Sequence, residues 1–133
     1  MTTNKIKVIV IDDEEAITTV IRLLLENQGY NVITRNNGKD GLAAIQAEDP
    51  DLIICDVRMP RMNGYDVHRE LMKMIQFRLT PFLLHSGSID TYERTEAIKY
   101  MGINGVLDKP CSAKTLYDKV REALGPRGMV MAE

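Results

Sequence analysis

Cysteine is scarce: Cys55 and Cys111 are the only two among 133 residues. Two thiols make neither a disulfide framework nor a zinc quartet, and neither has a sequence neighbour that suggests redox chemistry. Both read as small packing residues, one inside a strand and one beside Pro110. A basic block is also missing: 17 Lys and Arg against 19 Asp and Glu leave a formal net charge of −2. That balance argues against a nucleic-acid footprint spread over the whole domain. No apolar run approaches the roughly 20 residues of a membrane span. The N-terminal stretch lacks the apolar segment and cleavage signal of a secretory leader, so the expected location is the cytoplasm. Repeats, low-complexity tracts and long polar linkers are absent. So are a GxxxxGK[ST] loop and a GxGxxG after the first apolar run, which argues against the ordinary nucleotide-binding modules.

Apolar content is sufficient for one core. Leu, Ile, Val and Phe contribute 36 residues, above the range of disordered chains and suited to a single domain. Short apolar runs alternate with helical periods. Residues 6–11 form an Ile/Val-rich run that ends at Asp12-Asp13 and reads as a buried strand. Residues 14–28 read as a helix whose inner face is Ile17, Val20, Ile21, Leu24 and Gln28, with Gly29 closing it. A second strand spans 31–35, and a weaker helix spans 38–47. The run 51–56 (DLIICD) is a third strand. Residues 64–77 read as a helix with Val67, Leu71, Met74 and Ile75 inward. Residues 81–85 form a fourth strand before Ser86, and a helix runs from about 90 to 101. A short fifth strand, 105–107, precedes Asp108-Lys109-Pro110. Ser112 caps a last helix with Leu116, Val120 and Leu124 inward, stopped by Gly125-Pro126. The domain is expected over residues 1–125, with 126–133 as a short tail or the start of a linker.

Five strands alternating with five helices imply an α/β, flavodoxin-like, doubly wound three-layer sandwich. The expected strand order is 2-1-3-4-5, with a crevice at the carboxyl ends of strands 1 and 3. The polar residues gather at those ends. Asp12 and Asp13 end strand 1, Asp56 ends strand 3, Ser86 ends strand 4 and Lys109 ends strand 5. Three converging carboxylates require protonation or a cation, and an all-oxygen set with few protein ligands suits Mg²⁺. A nearby lysine adds positive charge outside the ion's coordination sphere. Such a pocket suits a dianionic phosphoryl group, with Ser86 as hydrogen-bond donor and a carboxylate as nucleophile. Asp56, at the end of a stiff apolar strand, is the best nucleophile. Asp12 and Asp13, being adjacent, point to opposite sides and cannot contact an ion equivalently.

Asp12-Asp13-Glu14, the run Asp56-Val57-Arg58-Met59-Pro60-Arg61-Met62-Asn63-Gly64, Ser86 and Lys109-Pro110 together resemble the receiver domain of two-component response regulators. The resemblance covers about residues 5–124, and the DxxMPxMxG run is highly specific. It implies that Asp56 accepts a phosphoryl group from a histidine kinase or a phosphotransfer protein. It implies Mg²⁺ held directly by Asp13, with Asp12 acting mainly through water, and also by Asp56 and the backbone carbonyl of Arg58. Lys109 would pair with the phosphoryl group, Ser86 would turn to hydrogen-bond it, and a cis bond would precede Pro110. It implies a signalling switch rather than an enzyme, with output through the fourth and fifth helices and fifth strand (Arg94, Lys99, Tyr100, Asp108). That face would meet a partner protein or a second copy. The first helix belongs to the kinase-docking surface in this family, and Leu23, about 120° from the buried stripe, is its contact candidate.

Three positions depart from the family pattern. Val106 stands where an aromatic residue is usual, so the swinging ring of the family's switch is missing. His85 precedes Ser86 where an apolar residue is common; it reads as a structural or rim residue rather than a relay histidine. Arg58, two residues after Asp56, stands at the mouth of the site and is expected to alter the lifetime of phospho-Asp56. Arg58 also occupies the place of the second acid that haloacid-dehalogenase-like phosphohydrolases require, and their cap region is missing. Two contexts stay open. A lone receiver acts through protein contact; a receiver of a longer regulator serves a DNA-binding or cyclic-dinucleotide output domain.

Overall fold

Strands and helices alternate throughout the computed structural model, which describes residues 5–126. The expected loose tail at 127–133 lies outside the described residues. In chain order the elements are β1 (Lys7–Ile11), α1 (Glu15–Asn27), β2 (Asn31–Arg35), α2 (Gly38–Glu48), β3 (Leu52–Asp56) and α3 (Gly64–Met72). They continue with β4 (Phe82–Ser86), α4 (Thr91–Thr95), β5 (Gly105–Asp108) and α5 (Ala113–Leu124). A 3₁₀ turn, Ile75–Phe77, follows α3, and a π-helical turn, Glu96–Tyr100, prolongs α4.

All strand pairs are parallel, in the expected order β2-β1-β3-β4-β5. Every residue of β3 and β4 is buried, because helices cover both faces of a parallel sheet. Alternate side chains enter opposite layers. Ile9, Ile11, Ile53, Cys55 and Leu84 pack with Ala44, Val67, Leu71 and Ala97 on one side. Val8, Val10, Ile54, Leu83 and Leu107 pack with Ile21, Leu25, Leu116 and Val120 on the other.

Three helices differ from the sequence expectation. In α1 the buried stripe is Thr18, Ile21 and Leu25; Ile17 and Leu24 are half-buried, and Val20 is exposed. Three consecutive leucines, Leu23 to Leu25, offer three phases, and Leu25 takes the core. Thr18 is buried cheaply because its hydroxyl donates to the Glu15 carbonyl at 3.0 Å. Leu23 is exposed, as expected. The third helix ends at Met72 rather than Phe77, and Ile75, expected inward, is 79% exposed. At about 100° per residue, a continued helix would bury Ile75 and swing Phe77 far from the Val67–Leu71 face. The break instead seats the larger Phe77 in the core, where it is 2% exposed. The fourth helix is regular only over its first half, before the π turn.

Candidate functional site

The carboxyl ends of β1, β3, β4 and β5 share one rim, and each delivers a polar side chain to it. Asp12 follows β1 and stays tied to the sheet through its N–H, which donates to the Arg35 carbonyl at 3.1 Å. Its Oδ1 accepts from the Glu14 N–H at 2.9 Å, so the same carboxylate starts α1. Asp13 is exposed, whereas Asp12 and Asp56 are buried. The chain leaving β3 doubles back tightly: Gly64 N–H donates to the Val57 carbonyl at 3.1 Å. A Cβ on Gly64 would stand 2.5 Å from the Asp56 carbonyl oxygen, so only glycine fits there. Asn63 and Asp66 then form a capping box that starts α3.

Lys109 arrives from β5. Its N–H donates to the Ser86 carbonyl at 3.0 Å, and the Lys109–Pro110 bond is cis, as the resemblance implied. Its Nζ lies 2.7 Å from Asp12 Oδ2, 3.4 Å from Asp56 Oδ1 and 3.5 Å from Glu14 Oε1. Oxygens of Asp12, Asp13 and Asp56 lie within 4.8 Å of one another. Ser86, on the strand beside Asp56, is buried. Its Oγ accepts from the Ser88 N–H at 3.2 Å and lies 3.4 Å from Ser88 Oγ. The predicted residues from four strand ends therefore meet at one rim.

Burial and the neighbouring Asp12 charge push the Asp56 carboxyl up from 3.8 to about 6, against the pull of Lys109. Burial works against the Lys109 charge, but Asp12 and Asp56 outweigh it and raise its pKa. Lys109 is therefore an ammonium at neutral pH. His85 is buried between the rim and the α1–α5 layer, 3.8 Å from Asp12 Oδ2, and its Nδ1 has no hydrogen-bond partner. Burial and Lys109 push it down to about 4, so it is neutral at pH 7. One ammonium, 2.7 Å from Asp12 Oδ2, does not balance three carboxylates. That oxygen-only donor set, two carboxylates buried and Asp13 open to solvent, fits a hard divalent cation.

Sequence reasoning placed Arg58 at the mouth of the site but missed the partners that hold it there. The Arg58 guanidinium turns away to Glu93, with Nη2 donating to Oε1 at 2.8 Å and Oε2 at 3.0 Å, and its Nε donates to Ser88 Oγ at 3.3 Å. The Tyr65 hydroxyl donates a short hydrogen bond to Glu93 Oε2. Glu93 lies 35 positions from Arg58, and no spacing rule connects them. Among the described helices, none is long and apolar enough to cross a membrane.

A family profile described as response regulator receiver domain matches residues 8–121. The alkaline phosphatase synthesis transcriptional regulatory protein PhoP of Bacillus subtilis (strain 168) is 31% identical over 118 residues, 89% of this chain and 48% of that protein. A probable transcriptional regulator, ycf27, of Cyanophora paradoxa is 33% identical over 93% of this chain and 50% of its own length. The chain thus spans about half the length of the curated relatives it matches. The solved chemotaxis protein CheY4 of Vibrio cholerae superposes with a TM-score of 0.85 at 30% identity, covering 90% of this chain and 99% of that one. The chain belongs to the receiver domains of two-component response regulators.

Proposed function

We propose that Asp56 accepts a phosphoryl group from a histidine kinase or phosphotransfer protein, and that the change is read by protein contact. The carrying observation is a buried carboxylate at a strand end, with the Lys109 ammonium 3.4 Å away and the Asp12 and Asp13 oxygens within 4.8 Å. An Asp56 oxygen attacks phosphorus in line with the donor histidine nitrogen. The O–P bond forms as the N–P bond breaks, and the imidazole leaves with the electron pair and takes a proton from water. Lys109, steadied by Asp12, sits where charge gathers on the phosphoryl oxygens. The Ser86 hydroxyl turns from Ser88 to donate to one of them. Asp13, Asp12, Asp56 and the Arg58 carbonyl would hold Mg²⁺. When bound, the ion offsets the carboxylate charge and draws negative charge from the transferring group.

Asp56 is the group modified, so the domain acts on itself rather than turning over a separate substrate. It extends over 1–125, with 126–133 as a tail or linker. A groove lined by Ile17, Val20, Leu24, Pro110 and Cys111 runs from Lys109 along α1 and α5. Leu23 stands exposed on the same helix. A helix carrying the donor histidine would lay its apolar face there and bring its imidazole to Asp56. Output runs through α4, β5 and α5, where Tyr100 is exposed and Arg94 pairs with Asp108 at 2.8 Å, to a partner protein or second copy. The domain works in the cytoplasm and binds neither nucleic acid nor membrane itself. The relatives' double length favours a second context: the receiver of a longer transcriptional regulator.

Acetyl phosphate with Mg²⁺, followed by intact mass, tests the reading. One phosphoryl adduct is expected, and none in Asp56→Asn or with a chelator. An adduct that persists in Asp56→Asn overturns it.

A further inference from the structure

We propose that Asp56 is coupled to α4 through a polar relay, Ser86–Ser88–Arg58–Glu93, which takes the place of a swinging aromatic side chain. The inference rests on the phosphoacceptor reading above and names its regulation. Each link is in contact. Ser86 Oγ is 3.4 Å from Ser88 Oγ, and Ser88 Oγ accepts from Arg58 Nε at 3.3 Å. The Arg58 guanidinium holds both oxygens of Glu93. Glu93 lies in the first turn of α4, where its own N–H is capped by Asp90 at 2.8 Å. Its carboxylate therefore reports the position of the helix start. Tyr65 of α3 holds the same carboxylate from the other side.

Apart from the Arg94–Asp108 pair, the helix has little apolar anchorage. No residue of Thr91–Thr95 is buried, and only Ala97 is buried in the following π turn. Single π turns are frequent at functional positions. Val106 is buried beside the Ala97 and Ile103 layer and carries no ring to move. The polar tie to Glu93 thus restrains the first turn of α4 from the Asp56 side of the molecule, as the Arg94–Asp108 pair does from β5.

Phosphorylation acts on both ends of the tie. A phosphoryl group brings about −1.5 to −2 charge to Asp56, two residues from Arg58. Recruiting the Ser86 hydroxyl removes Ser88's neighbour, and the new anion competes with Glu93 for the guanidinium. The Arg58 side chain is 54% exposed, so water fills in as it swings. Glu93 then loses its cation, and the first turn of α4 is free to reset against the π turn. The two arrangements differ in the partner of a single guanidinium, the kind of discrete alternative that switching needs.

Hydrogen exchange of residues 91–100, read by mass spectrometry with the adduct followed by intact mass, tests the relay. In the full chain, phosphorylation should speed exchange there by about fivefold or more, the lower end of ordinary coupling. In Glu93→Ala, exchange should be fast without phosphorylation and change little with it. In Tyr65→Phe, basal exchange should rise while the response survives in reduced form. In Ser88→Ala, basal exchange should stay near that of the unchanged chain, with the response cut. Adducts that form in Glu93→Ala and Ser88→Ala with an undiminished α4 response overturn the relay. Absence of any adduct in the unchanged chain overturns the phosphoacceptor reading and the relay with it.

Discussion

Replacing Asp56 with Asn should make the metal-free protein more stable. The carboxylate is 4% exposed, and burial together with Asp12 raises its pKa from 3.8 to about 6 despite Lys109. A raised folded value means that the folded chain holds this proton more tightly than the unfolded chain. Below about pH 4 both states are protonated, and the side chain carries no penalty. Between about pH 4 and 6 only the unfolded chain ionises, so stability falls as pH rises. Above about pH 6 the whole penalty is in place. Two pKa units correspond to about 3 kcal/mol. That figure already includes the attraction to Lys109; Asn keeps the shape without the charge but needs hydrogen-bond partners of its own, so the expected gain at pH 7 is ~1–3 kcal/mol. Urea melts in a chelator across this pH range measure it. The gap between variant and parent should open from near zero in acid to a plateau above about pH 6. Mg²⁺ at ten times its dissociation constant should stabilise the parent by about 1.4 kcal/mol and narrow the gap. A variant no more stable than its parent at pH 7, or a gap that widens towards acid, would refute the electrostatic account.

Lys109→Ala should move stability the other way. It leaves Asp12 without its 2.7 Å counter-charge and should cost ~1–3 kcal/mol in urea melts, because Lys109 remains partly open to water. Combining it with Asp56→Asn should recover part of that loss, a non-additivity that a double-mutant cycle reads directly. Gly64→Ala places a Cβ 2.5 Å from the Asp56 carbonyl oxygen, a backbone atom that cannot step aside. It should cost ~1–3 kcal/mol and weaken Mg²⁺ binding by calorimetry, since the chain at Asp56 must shift. Asn63→Ala breaks the capping box of α3 and should cost ~0.5–2 kcal/mol in thermal melts.

The strand order and the rim cluster were legible in sequence for one physical reason. A parallel sheet buries its strands on both faces, so β1, β3 and β4 read as apolar runs with polar residues at one end. Those ends must converge because every strand points the same way. Helix faces were less legible because they depend on competition. Leu23, Leu24 and Leu25 are equivalent in pattern, and only packing against β1 and β2 selects Leu25. At 74–77, Ile75 and Phe77 compete for one site, and the larger ring wins by breaking the helix. The Arg58–Glu93–Tyr65 contacts were invisible because they join a loop residue to side chains of two helices with no periodic relation. His85 was expected at a structural or rim position. The structure buries it as a neutral ring beside Asp12, a placement set by the alternation of β4 rather than by a motif.

The same alternation separates the two tasks assigned to the domain. Side chains on one face of the sheet pack with α1 and α5, and there the groove, Lys109 and His85 lie together. Side chains on the other face pack with α3 and α4, and there Arg58, Tyr65 and Glu93 form their network. Asp56 ends β3, between β1 and β4, and so stands at the boundary of both layers. A phosphodonor docked along α1, as proposed, would reach Asp56 without touching α4, because the thickness of the sheet stands between them. Charge placed on Asp56 is felt on both sides, by Lys109 towards the groove and by Arg58 towards α4. Pulling Lys109 from Asp12 leaves a buried carboxylate bare, whereas pulling Arg58 from Glu93 leaves two groups that water can solvate. The second exchange is the easier one, so the response to phosphorylation should propagate towards α4 while the α1 groove keeps its form.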